Sequence, residues 1–333
     1  MNATIKLENV KHFPVLLNEV ISIISPLYGG TFIDCTFGQG GYSKKILENK
    51  KNKIFAIDRD YSSKKIVNQF KKKYQKRFNF ENKKFSEILS LSKNIENLKG
   101  AIFDLGYSTL QIKDPEKGLS FNSKGKLNMR MGLNSFSADY VVNKLGQKEL
   151  EKIFRVFGQE SKSKIISKRI VSFRKNKNLQ TEDLVNIINS IKNKKFSKIH
   201  NATKVFQALR IVVNSEISEL IYGLINSFKI LPVGGVIVVV TFHSIEDQIV
   251  KFFLKNYSEN KNVSRYLPSR VEKKNLFKLI DKKPIIPDQD EISINPASRS
   301  AKLRYGIKLN NHFDFSEFIK KFNYLLEVEK LAD

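Results

Sequence analysis

Short apolar runs and amphipathic segments alternate along the first third of the chain. Residues 31–37, 53–57 and 100–105 have the length and composition of buried strands, and each run ends at a polar or glycine-rich turn. Between them, 42–48 and 62–74 have the pattern of helices. Such alternation is typical of parallel strands joined by right-handed crossovers, so the sequence predicts an α/β fold of the doubly wound class.

The pattern changes in the middle of the chain. Residues 147–174 and 181–191 carry helical periodicity with no strand between them, and Thr181 has the position of an N-cap. This predicts a helical insertion. The strand pattern returns at 235–242, a valine-rich apolar run typical of a central parallel strand, and again at 303–309. The sheet is therefore expected to be interrupted and then resumed.

Two further segments lead to structural expectations. Residues 202–228 predict one long helix that bridges the insertion and the sheet, because its large apolar residues fall on one side. Those residues are Phe206, Leu209, Val213, Ile217, Leu220 and Leu224. Residues 257–299 are rich in Lys, Asn, Pro and Asp with little periodicity. They are predicted to form long mobile loops.

The charge of the chain is far from balanced. Lys and Arg number 59 against 33 Asp and Glu, which gives a formal net charge of +26 over 333 residues. An A+T-rich genome would also enrich Lys, Asn and Ile. A phosphate backbone rewards such an excess through counterion release, so a nucleic acid is the favoured partner and a membrane surface the weaker alternative.

Several classes of protein are disfavoured by the sequence. No segment approaches the roughly 20 apolar residues that span a bilayer, and 1–13 has charged residues and no apolar signal core. We therefore expect a cytoplasmic protein. The single cysteine, Cys35, excludes an internal disulfide. The histidines lack metal-ligand spacing, so no metal is expected; they are His12, His200, His243 and His312.

A glycine-rich turn follows the first predicted strand. Asp34 precedes Gly38, Gly40 and Gly41, and glycines at such a turn allow a ligand to approach the backbone. Asp58 ends the second strand, where a carboxylate can accept hydrogen bonds from both hydroxyls of a ribose. These features fit a nicotinamide or flavin dinucleotide as well as S-adenosylmethionine.

Two details favour S-adenosylmethionine. The glycine spacing departs from G-x-G-x-x-G, and Asp34 stands just before the turn. A sulfonium cofactor has no phosphate for a helix N-terminus to hold. At the end of the strand 100–105, Asp104 has two open interpretations. It is either a helix N-cap or a group that contacts the cofactor or orients an amine, since a ring-conjugated amine is poorly nucleophilic until its N–H bonds are held.

Eight motifs together resemble the RsmH family, also called MraW, and they occur in family order across nearly the whole chain. They are HFPVLLNE (12–19), FGQGGYS (37–43), DLGYSTLQ (104–111), GLSF (118–121), LNMRM (127–131), ATKVFQALRI (202–211), TFHSIED (241–247) and RSAKLR (299–304).

The resemblance implies a Rossmann-like S-adenosylmethionine-dependent methyltransferase sheet with an inserted, mostly helical domain. The sheet domain would comprise 1–113 and 215–333, and the insertion 114–214. The implied reaction is N4-methylation of a cytidine in the decoding region, at the P site, of 16S rRNA in the small ribosomal subunit. The positions that match the cofactor contacts of the family are Gly40, Gly41, Tyr42, Asp58, Phe85, Asp104 and Gln111.

The chain departs from the family pattern at three positions. Tyr42 stands where the family usually has histidine, although its backbone N–H can still serve. Thr109 replaces a serine and keeps a hydroxyl. Asn128 replaces an aspartate, and the lost negative charge weakens the case for this residue as a base.

The remaining site predictions concern catalysis and RNA contact. The catalytic candidates are Asp104, Ser108, Asn128 and His243. His243, Ser244, Glu246 and Asp247 are too close in sequence to form a hydrolytic triad. They are predicted either to shape a pocket for a flipped cytidine or to cap a helix at Ser244.

A polar stripe of the predicted long helix suggests a contact surface, with a solvated face as the alternative: Thr203, Gln207, Arg210 and Asn214. The candidate RNA contacts are Arg130, Lys198, Lys204, Gln207 and Arg210. The competing functions are a nicotinamide oxidoreductase and an rRNA-binding assembly factor without catalytic activity. Cofactor binding would distinguish them, whereas the sequence leaves the oligomeric state open.

Overall fold

A computed structural model describes residues 14–108, 111–112, 114–121, 123, 125–192, 200–258 and 275–332. Three residues named above lie outside the described residues: His12, Thr109 and Lys198. No helix among the described residues is long and apolar enough to cross a membrane.

The described residues contain one seven-stranded sheet. Its strands are β1 Gly30–Asp34, β2 Asn52–Ile57, β3 Phe78–Glu81, β4 Leu98–Asp104, β5 Val236–Thr241, β6 Phe277–Lys278 and β7 Lys302–Lys308. They lie in the order β3-β2-β1-β4-β5-β7-β6. All pairs from β3 to β5 are parallel, whereas β7 runs antiparallel to both β5 and β6. The predicted α/β, doubly wound, Rossmann-like sheet is confirmed.

The α-helices of the described residues are α1 Leu17–Ile24, α2 Gly41–Ile46, α3 Lys64–Tyr74, α4 Ala138–Lys144, α5 Gln147–Val156, α6 Ser163–Phe173, α7 Thr181–Ile191, α8 Thr203–Val213, α9 Glu216–Ile230, α10 Ser244–Asn256, α11 Gln289–Ile294 and α12 Ser316–Glu329. They cover both faces of the sheet. Consecutive residues of β1 therefore enter different cores: Phe32 joins the cluster beneath α1, α2 and α3, and Ile33 joins the one beneath α9, α10 and α12.

The order of the strands places a crevice at one edge of the sheet. From β1 the chain passes to β2 and β3 on one side, and then crosses to β4 and β5 on the other. The carboxyl ends of β1 and β4 thus lie at the point where the order reverses, which is where open α/β sheets bind ligands. Asp34 ends β1 and Asp104 ends β4, so two carboxylates meet at this edge.

The prediction of one helix over 202–228 is wrong. The segment forms α8 and α9, and Ser215 between them has a left-handed φ of 49°. Asn214 fixes the break, because its amide donates to the carbonyl of Met129 and accepts from the N–H of Met131. Neither glycine nor proline marks this position. The apolar periodicity therefore continues across the break. The break itself results from contacts with a distant segment, residues 129–131.

Two smaller predictions are also wrong. Thr181 is the first residue of α7 rather than its N-cap, and its hydroxyl donates to the carbonyl of Gly125 at 2.6 Å. The Asp183 carboxylate accepts the N–H of Gln180 at 3.0 Å and stabilises the helix start instead. The predicted loop over 257–299 contains β6, α11 and a 3₁₀ helix within 275–299.

The strand β3 was not predicted from the sequence. It has only four residues, and basic residues precede it, so its alternating pattern is too short to separate from a loop. Phe78 and Phe80 nevertheless pack on Phe37, with ring centroids 5.4 and 5.8 Å apart. This aromatic cluster fixes the edge strand against the glycine-rich turn.

The helices of the predicted insertion share a core with the sheet. Ile153, Ile166 and Ile188 belong to the same buried cluster as Phe103 of β4 and Val239 of β5. The division of the chain into 1–113, 114–214 and 215–333 stays a prediction.

Candidate active site

A cavity of about 400 Å³ lies at the carboxyl edge of the sheet, beside the ends of β1 and β4. Its size is within the range of small-molecule sites, about 300–1,000 Å³. Its walls come from residues that follow β1, β2, β4 and β5 and from the start of α9. All seven positions matched to the cofactor contacts of the family line it: Gly40, Gly41, Tyr42, Asp58, Phe85, Asp104 and Gln111.

The glycines of the first turn have different roles. Gly40 has a φ of 73°, and a Cβ there would lie 2.6 Å from the Phe70 ring. A Cβ on Gly41 would lie 2.1 Å from Cγ of Pro14. Both glycines therefore allow the protein itself to pack on the turn. Gly38 has open space where its side chain would be, with the nearest atom at 3.8 Å, so a ligand can approach the backbone there.

Tyr42 occupies the position where the family usually has histidine. Its phenol is buried and donates to the carbonyl of Val15. Burial raises the pKa of Tyr42 well above its ordinary value, so the phenol stays protonated. The ring thereby anchors the segment before α1 to the start of α2.

Asp34 organises the turn from within. Its carboxylate is buried, and it accepts hydrogen bonds from the Ser43 hydroxyl at 2.6 Å and the Thr36 N–H at 3.3 Å. Burial raises its pKa to about 6. The Thr36 hydroxyl accepts the N–H of Asp104 at 2.7 Å, which joins the ends of β1 and β4.

The Asp58 carboxylate has a fixed orientation in the cavity wall. One oxygen accepts the N–H of Gly38 at 2.6 Å, and the other accepts the N–H of Asp60 at 2.8 Å. Burial raises the pKa of Asp58 to about 6. Because a carboxylate has about four acceptor sites, two remain for a ligand with hydroxyl groups.

Asp60 ties three segments together behind the cavity. Its Oδ2 accepts from the Gln111 amide and from the Lys117 ammonium, each at 2.6 Å. Burial works to raise the pKa of Asp60, but these two donors hold it below its ordinary value. The Ser108 N–H donates to Oε1 of Gln111 at 2.8 Å, so both ends of the Gln111 amide are held.

Asp104 is the least satisfied acidic group of the cavity. Its Oδ1 is buried and makes no hydrogen bond with any described residue. Burial, together with the smaller effect of the charges of Asp34 and Glu246, raises the pKa of Asp104 to about 8. A buried acceptor without a partner is costly. The site therefore favours a ligand that brings a donor or a positive charge to this oxygen.

An aromatic ring stands at the mouth of the cavity. The Tyr107 side chain is 46% exposed, and the Arg210 guanidinium lies 4.8 Å from the centroid of its ring. Arg210 is itself only 8% exposed, and its two nitrogens donate to the Glu216 carboxylate at 2.8 and 2.9 Å. Glu216 also lines the cavity. Glu216 was not predicted as a site residue, because it lies beyond the unpredicted break at Ser215.

The Phe85 ring forms another wall, and α9 sets its position. The ring meets Phe103 edge-on at 5.4 Å and lies against Gly223, where a Cβ would come within 2.6 Å of it. Glu219 accepts from the Ser86 N–H and hydroxyl, at 3.3 and 3.0 Å. Gly223 was missed in the sequence, although an isolated glycine within a helical pattern is a signal of close packing.

The four catalytic candidates are not all brought together. Asp104 and Ser108 line the cavity, whereas Asn128 and His243 are not among its lining residues. The Asn128 amide oxygen accepts from Nε of Arg130 at 2.8 Å. His243 is the N-cap of α10, and its Nδ1 accepts the N–H of Glu246 at 3.3 Å. The cap is thus His243 and not Ser244.

Glu216, His243 and Glu246 place one ligand atom each within 4.8 Å of one another, a grouping that could hold a metal ion. Their existing contacts argue against one. The Glu216 carboxylate is engaged by Arg210. A neutral imidazole whose Nδ1 accepts a hydrogen bond carries its proton on Nε2, so that nitrogen cannot also bind a cation.

The predicted RNA contacts fall in different environments. Arg130 is exposed. Lys204 and Gln207 donate to the carbonyls of Gln159 and Phe157, at 3.0 and 2.9 Å, and so hold α8 to the connection between α5 and α6. Asn214 is 0% exposed, so the prediction that it belongs to an external contact surface is wrong.

The family model and the named relatives identify the same family of proteins. The model of the MraW methylase family matches residues 9–309. A protein of Orientia tsutsugamushi (strain Ikeda), named ribosomal RNA small subunit methyltransferase H, is 39% identical over 307 residues and covers 90% of this chain and 98% of its own. A protein of the same name from Wolbachia sp. subsp. Drosophila simulans (strain wRi) is 41% identical over 297 residues, with 88% and 97% covered.

Among solved structures, an rRNA methylase from Streptococcus thermophilus has a TM-score of 0.35 and 11% identity, and covers 87% of this chain and 96% of its own. That similarity is too distant to add to the argument. The family model spans nearly the whole length, and both named relatives match over most of theirs. This chain belongs to the MraW methylase family.

Proposed function

We propose that this chain transfers a methyl group from S-adenosylmethionine to N4 of a cytidine in the P-site decoding region of 16S rRNA, within the small ribosomal subunit. The observation that carries the proposal is the buried, unpartnered oxygen of Asp104 in a cavity that Asp58 and the glycine-rich turn also line. Family membership and the names of the relatives support methylation of small-subunit ribosomal RNA.

The residues of the cavity fit this cofactor. Asp58 presents a fixed carboxylate for the two ribose hydroxyls, and Phe85 offers an apolar wall. Gln111, Gly40, Gly41 and Tyr42 complete the same enclosure. The glycine spacing of the turn departs from G-x-G-x-x-G, which also disfavours a nicotinamide dinucleotide. The cofactor would supply the methyl group, with its S–C bond breaking so that the sulfur keeps the electron pair and leaves as a neutral thioether.

Asp104 acts on the reacting amine in this proposal. Its free oxygen accepts an N–H of the cytidine N4, which aligns the nitrogen lone pair with the methyl group. When the N–C bond forms, the nitrogen gains a positive charge and must lose one proton. A carboxylate whose pKa is raised is a stronger base than an ordinary aspartate, so Asp104 is suited to take that proton and pass it to water.

The cytidine must leave its stack to reach this cavity. Tyr107 offers the exposed face of its ring for the base, while Arg210 covers part of it and Glu216 holds Arg210 in place. Ser108 lies beside the same mouth, and His243 acts only through Glu246. We assign RNA contacts to Asn128, Arg130 and Lys204, and also to Lys198, which lies outside the described residues. A small-subunit rRNA substrate places the enzyme in the cytoplasm.

Deletion of the gene tests the proposal. Mass mapping of 16S rRNA nucleosides from the deletion strain should show one methyl group missing at a single cytidine. The purified chain with S-adenosylmethionine should restore it on small-subunit particles from that strain. An unchanged nucleoside map, with cofactor binding retained, would instead support a different substrate. Failure to bind the cofactor would favour an assembly factor without catalysis.

Gly223→Ala should weaken cofactor binding without unfolding α9. A methyl group there would push the Phe85 ring by more than its contacts allow, since the Cβ would lie 2.6 Å from that ring. Overpacking of this kind costs about 1–3 kcal/mol, so we expect the dissociation constant to rise at least roughly 5-fold. Calorimetric titration with S-adenosylmethionine measures it. Ser227→Ala, on the same helix and buried, is the matched control. If the two variants bind S-adenosylmethionine with equal affinity, Phe85 does not contribute to the cofactor site.

A further inference from the structure

A second groove lies between α10 and α12, with a volume of about 390 Å³. The side chains that line it are Gln248, Lys251, Phe252, Lys255 and Asn256 from α10, and Lys321 and Phe322 from α12. Its floor is apolar, because the Phe252 and Phe322 rings meet edge-on at 5.6 Å. Three lysines surround that floor, and each of them is exposed.

The charge of this groove is one-sided. Among the described residues, no Asp or Glu lines the groove, whereas Asp58, Asp104, Glu216 and Glu246 line the active-site cavity. Within the described part of the chain, Lys251, Lys255 and Lys321 form no salt bridge. A protein gains little from three unpaired ammonium groups around an apolar floor. This combination suits a ligand with a phosphate chain and flat apolar faces.

The groove is connected to the active site by one stripe of α10. Ser244, Gln248, Lys251 and Lys255 are all exposed and are spaced by four, three and four residues. Residues with that spacing lie along one face of a helix. The stripe begins at the first residue of α10, which follows β5 and the cavity-lining residue Phe242 at the carboxyl edge of the sheet, and it extends for about 16 Å along the helix.

We propose that a single-stranded segment of the substrate RNA, adjacent to the methylated nucleotide, follows this stripe of α10 and binds in the groove between α10 and α12. The three lysines contact its phosphates, and the phenylalanine floor contacts a sugar or base. The inference rests on the proposed rRNA substrate, but it assigns a surface that the methyl-transfer site does not require. This surface helps to hold the RNA while the target cytidine leaves its stack.

A triple variant, Lys251→Gln, Lys255→Gln and Lys321→Gln, tests the groove. The probe is a fluorescent single-stranded RNA of about 15 nucleotides, titrated with the full-length chain between about 50 and 300 mM salt. Each lost phosphate contact reduces the slope of log affinity against log salt by about 0.7, so the slope should fall by about 2. Affinity at the lower salt concentrations should fall at least about 10-fold, and S-adenosylmethionine affinity should match that of the parent.

A matched control removes the same charge elsewhere. Lys71→Gln, Lys72→Gln and Lys76→Gln change exposed lysines at the end of α3 and just beyond it, near β3 at the opposite edge of the sheet. If net charge alone governed binding, both triple variants would lose the same slope, and that result would overturn the proposal. We expect the slope of the control variant to fall by at most half as much as the slope of the groove variant.

Other outcomes identify other occupants of the groove. If the groove variant alters sedimentation of the protein without RNA, a second copy of the chain occupies the surface and the proposal is wrong. Groove-dependent binding to vesicles of anionic lipid, with unchanged RNA binding, would also overturn it. If the parent neither binds the RNA nor methylates the particles, the proposed function itself fails. If the parent methylates the particles and the groove variant binds RNA as the control variant does, only the proposal for the groove is rejected.

Discussion

Asp104→Asn should fold like the parent and transfer methyl groups at least about 100-fold more slowly, the lower range for one positioned acid–base group. The amide preserves the shape of the side chain and removes the charge that would accept a proton from the reacting amine. Single-turnover methylation of undermethylated small-subunit particles, at saturating cofactor, measures the effect. Asp281→Asn, whose carboxylate binds the Tyr305 hydroxyl away from the cavity, is the control.

The same group makes the reaction depend on pH. Burial raises the pKa of Asp104 from 3.8 to about 8 in the free protein, so the carboxyl holds its proton until the pH approaches 8. The unfolded chain would already have released that proton above about pH 4, so this group lowers the free energy of unfolding as pH rises from about 4 to 8. A base must be deprotonated to act, so the methylation rate of the parent should rise as the pH approaches 8. A positively charged cofactor lowers the pKa of the nearby carboxyl group, so with cofactor bound this rise should occur at lower pH.

Two results would contradict this role for Asp104. A single-turnover rate within a few-fold of the parent would show that the carboxylate is not part of the chemistry, and Ser108 would become the next candidate. Loss of folding in Asp104→Asn would indicate a structural role instead, as in the helix-cap interpretation. Circular dichroism and thermal melting of the purified variant separate the second result from a true loss of rate.

Asp58→Ala should weaken S-adenosylmethionine binding roughly 10- to 150-fold, because charge-assisted hydrogen bonds to the ribose contribute about 1.5–3 kcal/mol. Calorimetric titration of the purified variant is the measurement. The substitution also leaves the N–H groups of Gly38 and Asp60 without their acceptor, which can loosen the turn. Asp58→Asn keeps an acceptor for one of these two N–H groups, so it serves as the companion variant.

The comparison between the two variants decides what Asp58 does. Weak binding by both, with melting temperatures near that of the parent, assigns the loss to the ribose contact. Weak binding by the alanine variant alone assigns it to disorder of the turn. Parent-like affinity in both variants would remove Asp58 from the cofactor site and leave the cavity without an evident ribose partner.

Much of the site was predictable because the relevant signals are local. Apolar periodicity identified β1, β2, β4, β5 and β7. The alternation of strands and helices then required a parallel sheet, whose carboxyl edge gathers the residues that end its strands. That reasoning put Asp58 and Asp104 at strand ends and Asp34 just before the glycine-rich turn, and motif order indicated the family.

Other features depend on pairs of residues that are distant in the chain. The break at Ser215 follows from the contacts of Asn214 with 129–131, and the position of Phe85 follows from Gly223. The apolar periodicity of 202–228 does not show that Asn214 contacts 129–131 or that Gly223 lies against Phe85. The roles of Gly40 and Gly41 changed for the same reason, since their missing side chains leave room for Phe70 and Pro14 rather than for a ligand.

The fold class, the family and the edge of the sheet that holds the site could therefore be predicted from the residues alone, because the alternation of elements and the spacing of motifs lie in the chain itself. Which carboxylate lacks a partner, which ring stands at the mouth and which lysines surround a groove depend on the folded arrangement. The burial of a polar group and its hydrogen-bond partners depend on all of its neighbours in the folded protein together. Asp104 and Asp34 both end strands, yet only Asp34 has Ser43 and Thr36 as donors within reach.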